Sequence, residues 1–148
     1  MRVAIGSDHA GFDLKEALKE HITSKGHELI DCGTHSKEST DYPIYAKEVA
    51  MHIKSQKADR GILICGSGLG MSISANKIKG IRAALCLNEY MARMSVKDNN
   101  ANVLCLGGRV IGVELAKSII DAWFDAHFEG GRHERRLRII SSFEEEGI

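Results

Sequence analysis

The stretch Gly61-Ile62-Leu63-Ile64-Cys65-Gly66-Ser67-Gly68-Leu69-Gly70 constrains the fold more than any other part of this chain. Its first half is apolar and β-branched, the composition of a strand buried on both faces. Its second half carries three glycines in five positions, and a helix with a polar face begins near Met71. Strand, tight glycine turn and helix start together place Cys65 at the carboxyl end of a strand. Ligands bind at that edge of an open parallel sheet.

The chemistry of such a turn follows from its residues. Glycines let the backbone come close to a ligand and take positive φ. The amides of Gly66 to Gly70, backed by a helix dipole, suit an anion or a developing oxyanion. The same field favours the thiolate of Cys65, which beside Ser67 becomes a nucleophile or a general base. The competing reading is a buried cysteine that packs as a small hydrophobe. The glycines fit neither common nucleotide pattern. The third comes one residue early for the dinucleotide fingerprint, and no Gly-Lys-Ser/Thr follows.

The rest of the chain alternates in the same style. Residues 2–6 read as a strand, ending in the polar turn Ser7-Asp8-His9-Ala10-Gly11. Phe12, Leu14, Ala17, Leu18 and Ile22 recur at helical spacing, and Lys25-Gly26 is a helix stop. Residues 27–31 make a second strand. Asp41 reads as the cap of a helix with Pro43 in its first turn. Strands at 82–86 and 102–106 alternate with helices at 89–97 and 112–125, and a basic helix begins at Arg132. This pattern predicts an α/β fold, a parallel sheet covered by helices on both faces. With 148 residues and no linker or repeat, one domain over 1–148 is expected.

Composition removes several classes of function. Net charge is zero, so nothing points to nucleic acid or a membrane surface as a partner. The four cysteines (Cys32, Cys65, Cys86, Cys105) form no C-x-x-C pair and no metal-ligand spacing with the seven histidines. They read as free thiols of a reducing compartment. No signal peptide or membrane-length apolar run is visible, which predicts a cytoplasmic protein. Cys32, Cys86 and Cys105 are expected in the core.

Strand carboxyl ends converge on one edge, so the turns after the first, third and fifth strands are expected to be neighbours. They carry Asp8 and His9, then Cys65 to Gly70, then Arg109. Asp8 either positions a hydroxyl or caps the first helix; His9 either contacts a phosphate or hydroxyl or is a satisfied cap residue. Arg132 and Arg136 share a helix face and suit a phosphate grip, or are a solvated basic helix end. Asp98, Asn99, Asn100 and Asn102 precede the fifth strand, at the wrong edge within one subunit. If they act, they are expected to act across a dimer interface.

At this point the chain resembles the B-type ribose-5-phosphate isomerases, in the family that also holds galactose-6-phosphate isomerase. The resemblance covers nearly the whole chain and rests on several stretches in order. They are Gly6 to Gly11, Thr40-Asp41-Tyr42-Pro43, Gly61 to Gly70, Ala75-Asn76-Lys77, Asn99 through Leu104, and Glu129-Gly130-Gly131-Arg132-His133. It implies a Rossmann-like three-layer αβα fold with a five-stranded parallel sheet and an extra C-terminal helix. It implies interconversion of ribose 5-phosphate and ribulose 5-phosphate through an enediolate, in the pentose phosphate pathway. No metal or organic cofactor is implied. The partners implied are a sugar phosphate and a second copy of the chain, in a homodimer with shared sites; a tetramer is the alternative assembly.

The resemblance also implies roles. Cys65 is the base that moves the proton between C2 and C1, with Ser67 beside it and the amides of Gly66, Ser67, Gly68, Leu69 and Gly70 on the enediolate oxygens. Asp8, His9, Tyr42 and Asn99 contact the sugar, and Arg109, Arg132 and Arg136 grip the phosphate. One position departs from the family. Where a histidine usually helps to open the furanose ring, this chain has Asp98. An ionised Asp accepts a proton but does not readily donate one, so ring opening is expected to use Asp98 as a base or another histidine. Three rival readings are an isomerase of a six-carbon phosphate such as allose or galactose 6-phosphate, a catalytically silent sugar-phosphate binding module, and a thiol-based transferase.

Overall fold

The structure is a computed structural model of residues 1–148. Five parallel strands form one sheet: β1 (Arg2–Ser7), β2 (Glu28–Asp31), β3 (Arg60–Cys65), β4 (Ala83–Leu85) and β5 (Val103–Gly107), in the order β2-β1-β3-β5-β4. Five helices connect or follow them: α1 (Phe12–Ser24), α2 (Tyr42–Lys54), α3 (Leu69–Asn76), α4 (Glu89–Lys97) and α5 (Val113–Asp125). A sixth, α6 (Arg132–Glu146), comes last. The expected α/β, three-layer architecture is present, with strand ends within a residue or two of those read from the sequence.

Period-two alternation along the central strands makes two cores. Val3, Ile5, Ile62, Ile64, Leu104 and Leu106 point to one face, where Leu18 and Ile22 of α1, Val96 of α4 and Ile119, Ile120 and Trp123 of α5 close over them. Ala4, Leu63, Cys65, Val103 and Cys105 point to the other, against Ala46 and Val49 of α2 and Met71 and Ala75 of α3. A strand buried on both faces has to be apolar at every position, which is why β3 and β5 read as continuous hydrophobic runs.

α6 stands apart from this pattern. Only His133 of its residues is buried. Its links to the body are polar: the Glu144 carboxylate accepts the Gly80 N–H at 3.1 Å, and Lys79 pairs with Glu145 at 2.7 Å. Ile139, Ile140 and Phe143 are left exposed at 53%, 46% and 46%. No helix is long and apolar enough to cross a membrane.

Two local expectations are refined. Asp41 holds the N-cap position of α2, but its carboxylate accepts no amide there. Cys32 is half-buried and its Sγ lies 3.7 Å from Nδ1 of His52, so it is a flank residue of the core rather than part of it.

Candidate active site

Three turns at the carboxyl ends of β1, β3 and β5 enclose a cleft of about 550 Å³, lined by Asp8, His9, Tyr42, Cys65, Ser67 and Arg109 among others. Consecutive strand order brings these turns together, and backbone hydrogen bonds then fix them. The Asp8 N–H donates to Ile64 O at 3.2 Å, the Gly108 N–H to Cys65 O at 2.8 Å, and the Arg109 N–H to Gly66 O at 3.0 Å. The cleft is therefore held by main chain, and its side chains need only take rotamers.

Cys65 is the last residue of β3 and is 4% exposed. The N–H of Gly68 donates to its Sγ at 3.2 Å. That donor exists because Gly68 has φ of 80°, a conformation that favours glycine. A Cβ there would also meet Leu85 Cδ1 at 2.6 Å and the Leu106 carbonyl carbon at 3.0 Å. Ser67 Oγ accepts the N–H of Leu69 at 3.2 Å, which directs its own O–H elsewhere. Two of the turn's amides are thus turned inward, onto sulfur and hydroxyl, rather than all five facing a ligand. The first α3 amide with an acceptor one turn upstream is that of Ser72, on Gly68 O. The amides of Gly70 and Met71 before it are those that a helix start leaves for an anion.

Burial pushes the Cys32 and Cys86 thiols up to about 11, and Cys105 higher still.

Asp8 caps a turn and also lines the cleft. Its Oδ1 caps the short turn His9–Gly11 by accepting the Gly11 N–H at 3.1 Å. His9 Nδ1 accepts the N–H of Thr40 at 3.2 Å. A neutral ring that accepts at Nδ1 carries its proton on Nε2, so His9 is a donor there. Thr40 is a contributor the sequence reading did not single out as such: a backbone donor leaves no mark on residue type. Tyr42 stacks on Gly70, where a Cβ would come within 2.6 Å of its ring. Arg109 reaches over Gly66, where a Cβ would lie 3.2 Å from Nη1, and has no carboxylate within ion-pair distance.

The remaining predicted residues lie elsewhere in the single chain. Leu69 begins α3 and is 56% exposed. Asn99 lines a separate groove of about 420 Å³ with Arg82, Leu137, Ile140 and Phe143. Arg132 and Arg136 are exposed on α6, without ion-pair partners. Asp98 ends α4, with its Oδ1 3.4 Å from Nε2 of His133. Asp98, Glu129 and His133 bring three ligand-type atoms within 4.8 Å of one another. Lys97 pairs with Glu129 at 3.1 Å.

The chain matches the family described as Ribose/Galactose Isomerase over residues 3–140. It is 50% identical to ribose-5-phosphate isomerase B of Escherichia coli (strain K12), covering 97% of each chain. It is 46% identical to the D-erythrulose-4-phosphate isomerase of Pectobacterium atrosepticum, covering 97% of this chain and 95% of the relative. The solved structure of ribose-5-phosphate isomerase B from Clostridium thermocellum superposes with a TM-score of 0.98 at 51% identity, over the whole of both chains.

Proposed function

The chain belongs to the Ribose/Galactose Isomerase family, and from that premise we propose that it interconverts D-ribose 5-phosphate and D-ribulose 5-phosphate, with Cys65 as the base. The observation that carries this is the sulfur of Cys65 on the cleft floor, hydrogen-bonded by the Gly68 amide and set among Ser67, Asp8, His9 and Arg109.

In this reading the open aldose lies with its C2–H against Sγ. The thiolate takes that proton, the electron pair moves into C1–C2, and negative charge develops on the oxygens. The Ser67 hydroxyl and the first-turn amides of α3 stabilise it, acting where charge appears rather than on the ground state. Returned at C1, as O2 gives up its hydroxyl proton and O1 gains one, the same proton completes the ketose. The second carboxylate oxygen of Asp8 and Nε2–H of His9 orient the sugar hydroxyls, with Tyr42 closing one wall.

Arg109 supplies one part of the phosphate grip. Arg132, Arg136, Asp98 and Asn99 complete the site from a second copy of the chain, in a homodimer with shared sites. The apolar residues left open on α3 and α6 support that assembly: Leu69 at 56%, Ile73 at 63%, Ile139 at 53% and Phe143 at 46% exposed. Large apolar side chains left open on a small protein favour such an interaction surface. The free thiols and the metabolite chemistry support a cytoplasmic setting, and residues 1–148 act as one catalytic domain.

Solvent deuterium incorporation at C2 of ribose 5-phosphate tests the base. Wild type is expected to exchange and Cys65→Ala to lose exchange. Exchange that persists in Cys65→Ala moves the base elsewhere; no exchange with wild type points to another sugar phosphate or to a binding module. A six-carbon preference would appear as faster turnover of allose or galactose 6-phosphate than of ribose 5-phosphate.

A further inference from the structure

We propose that Tyr45 is a positioning residue for the sugar phosphate: acting through Thr40, it fixes which nitrogen of His9 carries the proton, and so how His9 meets the substrate oxygens. This rests on the isomerase reading above.

The observation is a chain of two hydrogen bonds that ends in the cleft. The Tyr45 and Thr40 hydroxyls share one at 2.9 Å, and the Thr40 N–H donates to His9 Nδ1 at 3.2 Å. His9 lines the cleft; Thr40 and Tyr45 do not. The far end of the chain is firmly placed. The Tyr45 ring packs against the core under α2 and α3. It also lies over Gly33, where a Cβ would come to 3.0 Å from Cε1. Gly33 is itself pinned to the end of β1. Its carbonyl accepts the Ser7 N–H at 2.6 Å, and the Thr34 N–H donates to Ser7 O at 2.7 Å.

The segment that Thr40 ends is loosely held. Residues 35–39 are exposed and belong to no helix or strand. Over residues 35–40, the non-covalent polar links to the rest of the molecule are the two at Thr40 and an ion pair of Lys37 with Asp13 at 3.2 Å. That ion pair is largely exposed on both sides, and such pairs contribute little. Thr40 is therefore where the loop is fastened. One half of the fastening is the Tyr45 hydroxyl and the other is the bond to His9, so loosening the first loosens the second.

The chemistry follows from the tautomer. A ring nitrogen that accepts an N–H carries no proton, so the neutral imidazole holds its proton on Nε2. Nε2–H binds a substrate oxygen by its lone pair, whether that of a phosphate or of a sugar hydroxyl. It takes no proton from the substrate, which leaves that task to the Cys65 sulfur. Released from the Thr40 amide, the ring is free to carry its proton on Nδ1 instead. Nε2 then presents a lone pair, which repels a phosphate oxygen.

The tautomer is read in the full-length protein from the NMR shifts of the histidine ring nitrogens, with His9→Asn identifying the His9 signals. Wild type is expected to show His9 protonated on Nε2. Tyr45→Phe keeps the ring and removes only the hydroxyl; Thr40→Val breaks the same contact from the other side. Both are expected to show a mixture of the two tautomers. Both are also expected to raise KM for ribose 5-phosphate about three- to tenfold, the range of one ordinary hydrogen bond. kcat should change little, as when a contact made equally in the ground and transition states is weakened. Unaltered Nε2 protonation in the variants, an unmoved KM, or a loss confined to kcat overturns the proposal. If one variant fails to fold, the other decides. A wild type inactive on ribose 5-phosphate fails the isomerase reading, while the tautomer comparison, which needs no turnover, still supports or overturns the role of Tyr45.

Discussion

Gly70 sits in the first turn of α3, where alanine is the better helix former by about 1 kcal/mol. The reason for glycine is the Tyr42 ring, which a Cβ would approach to 2.6 Å. Tyr42 is 39% exposed and has room to swing outward. Gly70→Ala is therefore expected to leave thermal stability unchanged or slightly raised, while KM for ribose 5-phosphate rises several-fold as the wall opens. A melting curve and a Michaelis plot check it, and an unchanged KM would remove Tyr42 from the site. Gly68 contrasts with it. There φ is 80° and the obstruction includes Leu106 backbone, so Gly68→Ala is expected to destabilise by about 1–3 kcal/mol and to take the amide off Cys65. The residue types at these positions were legible in the sequence as a glycine turn. Which glycine serves backbone conformation and which serves a neighbouring ring was not, because that depends on Tyr42, 28 positions earlier in the chain.

At the scale of elements, α1 is held to the sheet edge by an ion pair that the pattern of α1 did not reveal. Lys15 is fully buried, and its Nζ bonds both oxygens of Asp31 at 2.8 Å; Lys19 adds a contact at 3.0 Å. Asp31 ends β2 and also accepts the Gly33 N–H at 2.9 Å. Burial alone would raise its pKa, but the hydrogen bonds from Lys15, Gly33 and Lys19 hold it down at about 2. The contribution to stability is therefore present above the ordinary carboxylate range, near 4, and is lost as pH falls from there towards 2. Asp31→Asn leaves a buried ammonium without its counter-charge and is expected to cost about 3 kcal/mol, read by urea titration at pH 7. The gap between variant and wild type should narrow as the titration is repeated towards pH 2. The helical spacing of apolar residues in α1 does not include Lys15. Its burial follows from β2 lying beside β1, a tertiary fact.

For the whole molecule, the proposed sharing of sites between copies makes the strongest prediction. Cys65→Ala and Arg136→Ala are each expected to be nearly inactive alone. Mixed, unfolded and refolded together in equal amounts, half the dimers are hybrids with one intact site of two, so about a quarter of wild-type activity returns. No recovery would mean that each chain builds its site alone. The exposed apolar face of α6 belongs to the same argument: Phe143→Glu is expected to halve the mass in sedimentation and to abolish turnover while each chain stays folded, since α6 is fastened by Glu144 and Glu145 rather than by its apolar residues.

The sequence by itself determined the alternation of strands and helices, the buried character of β3 and β5, and the position of Cys65 at a strand end before a glycine turn. These are local properties, carried by side-chain periodicity and by residues that tolerate unusual φ, and they are complete within about ten residues. The tertiary structure set β1, β3 and β5 side by side, as the sequence reading expected of their turns, and so assembled Asp8, Cys65 and Arg109 from positions far apart in the chain. It alone decided that Lys15 meets Asp31, that Thr40 orders His9, and that Asp98 faces His133. Such pairings arise when apolar surfaces distant in sequence are buried together, and the polar partners then find each other as a consequence. That is why the turns that line the cleft were readable from residue types, and the polar cross-links between distant elements were not.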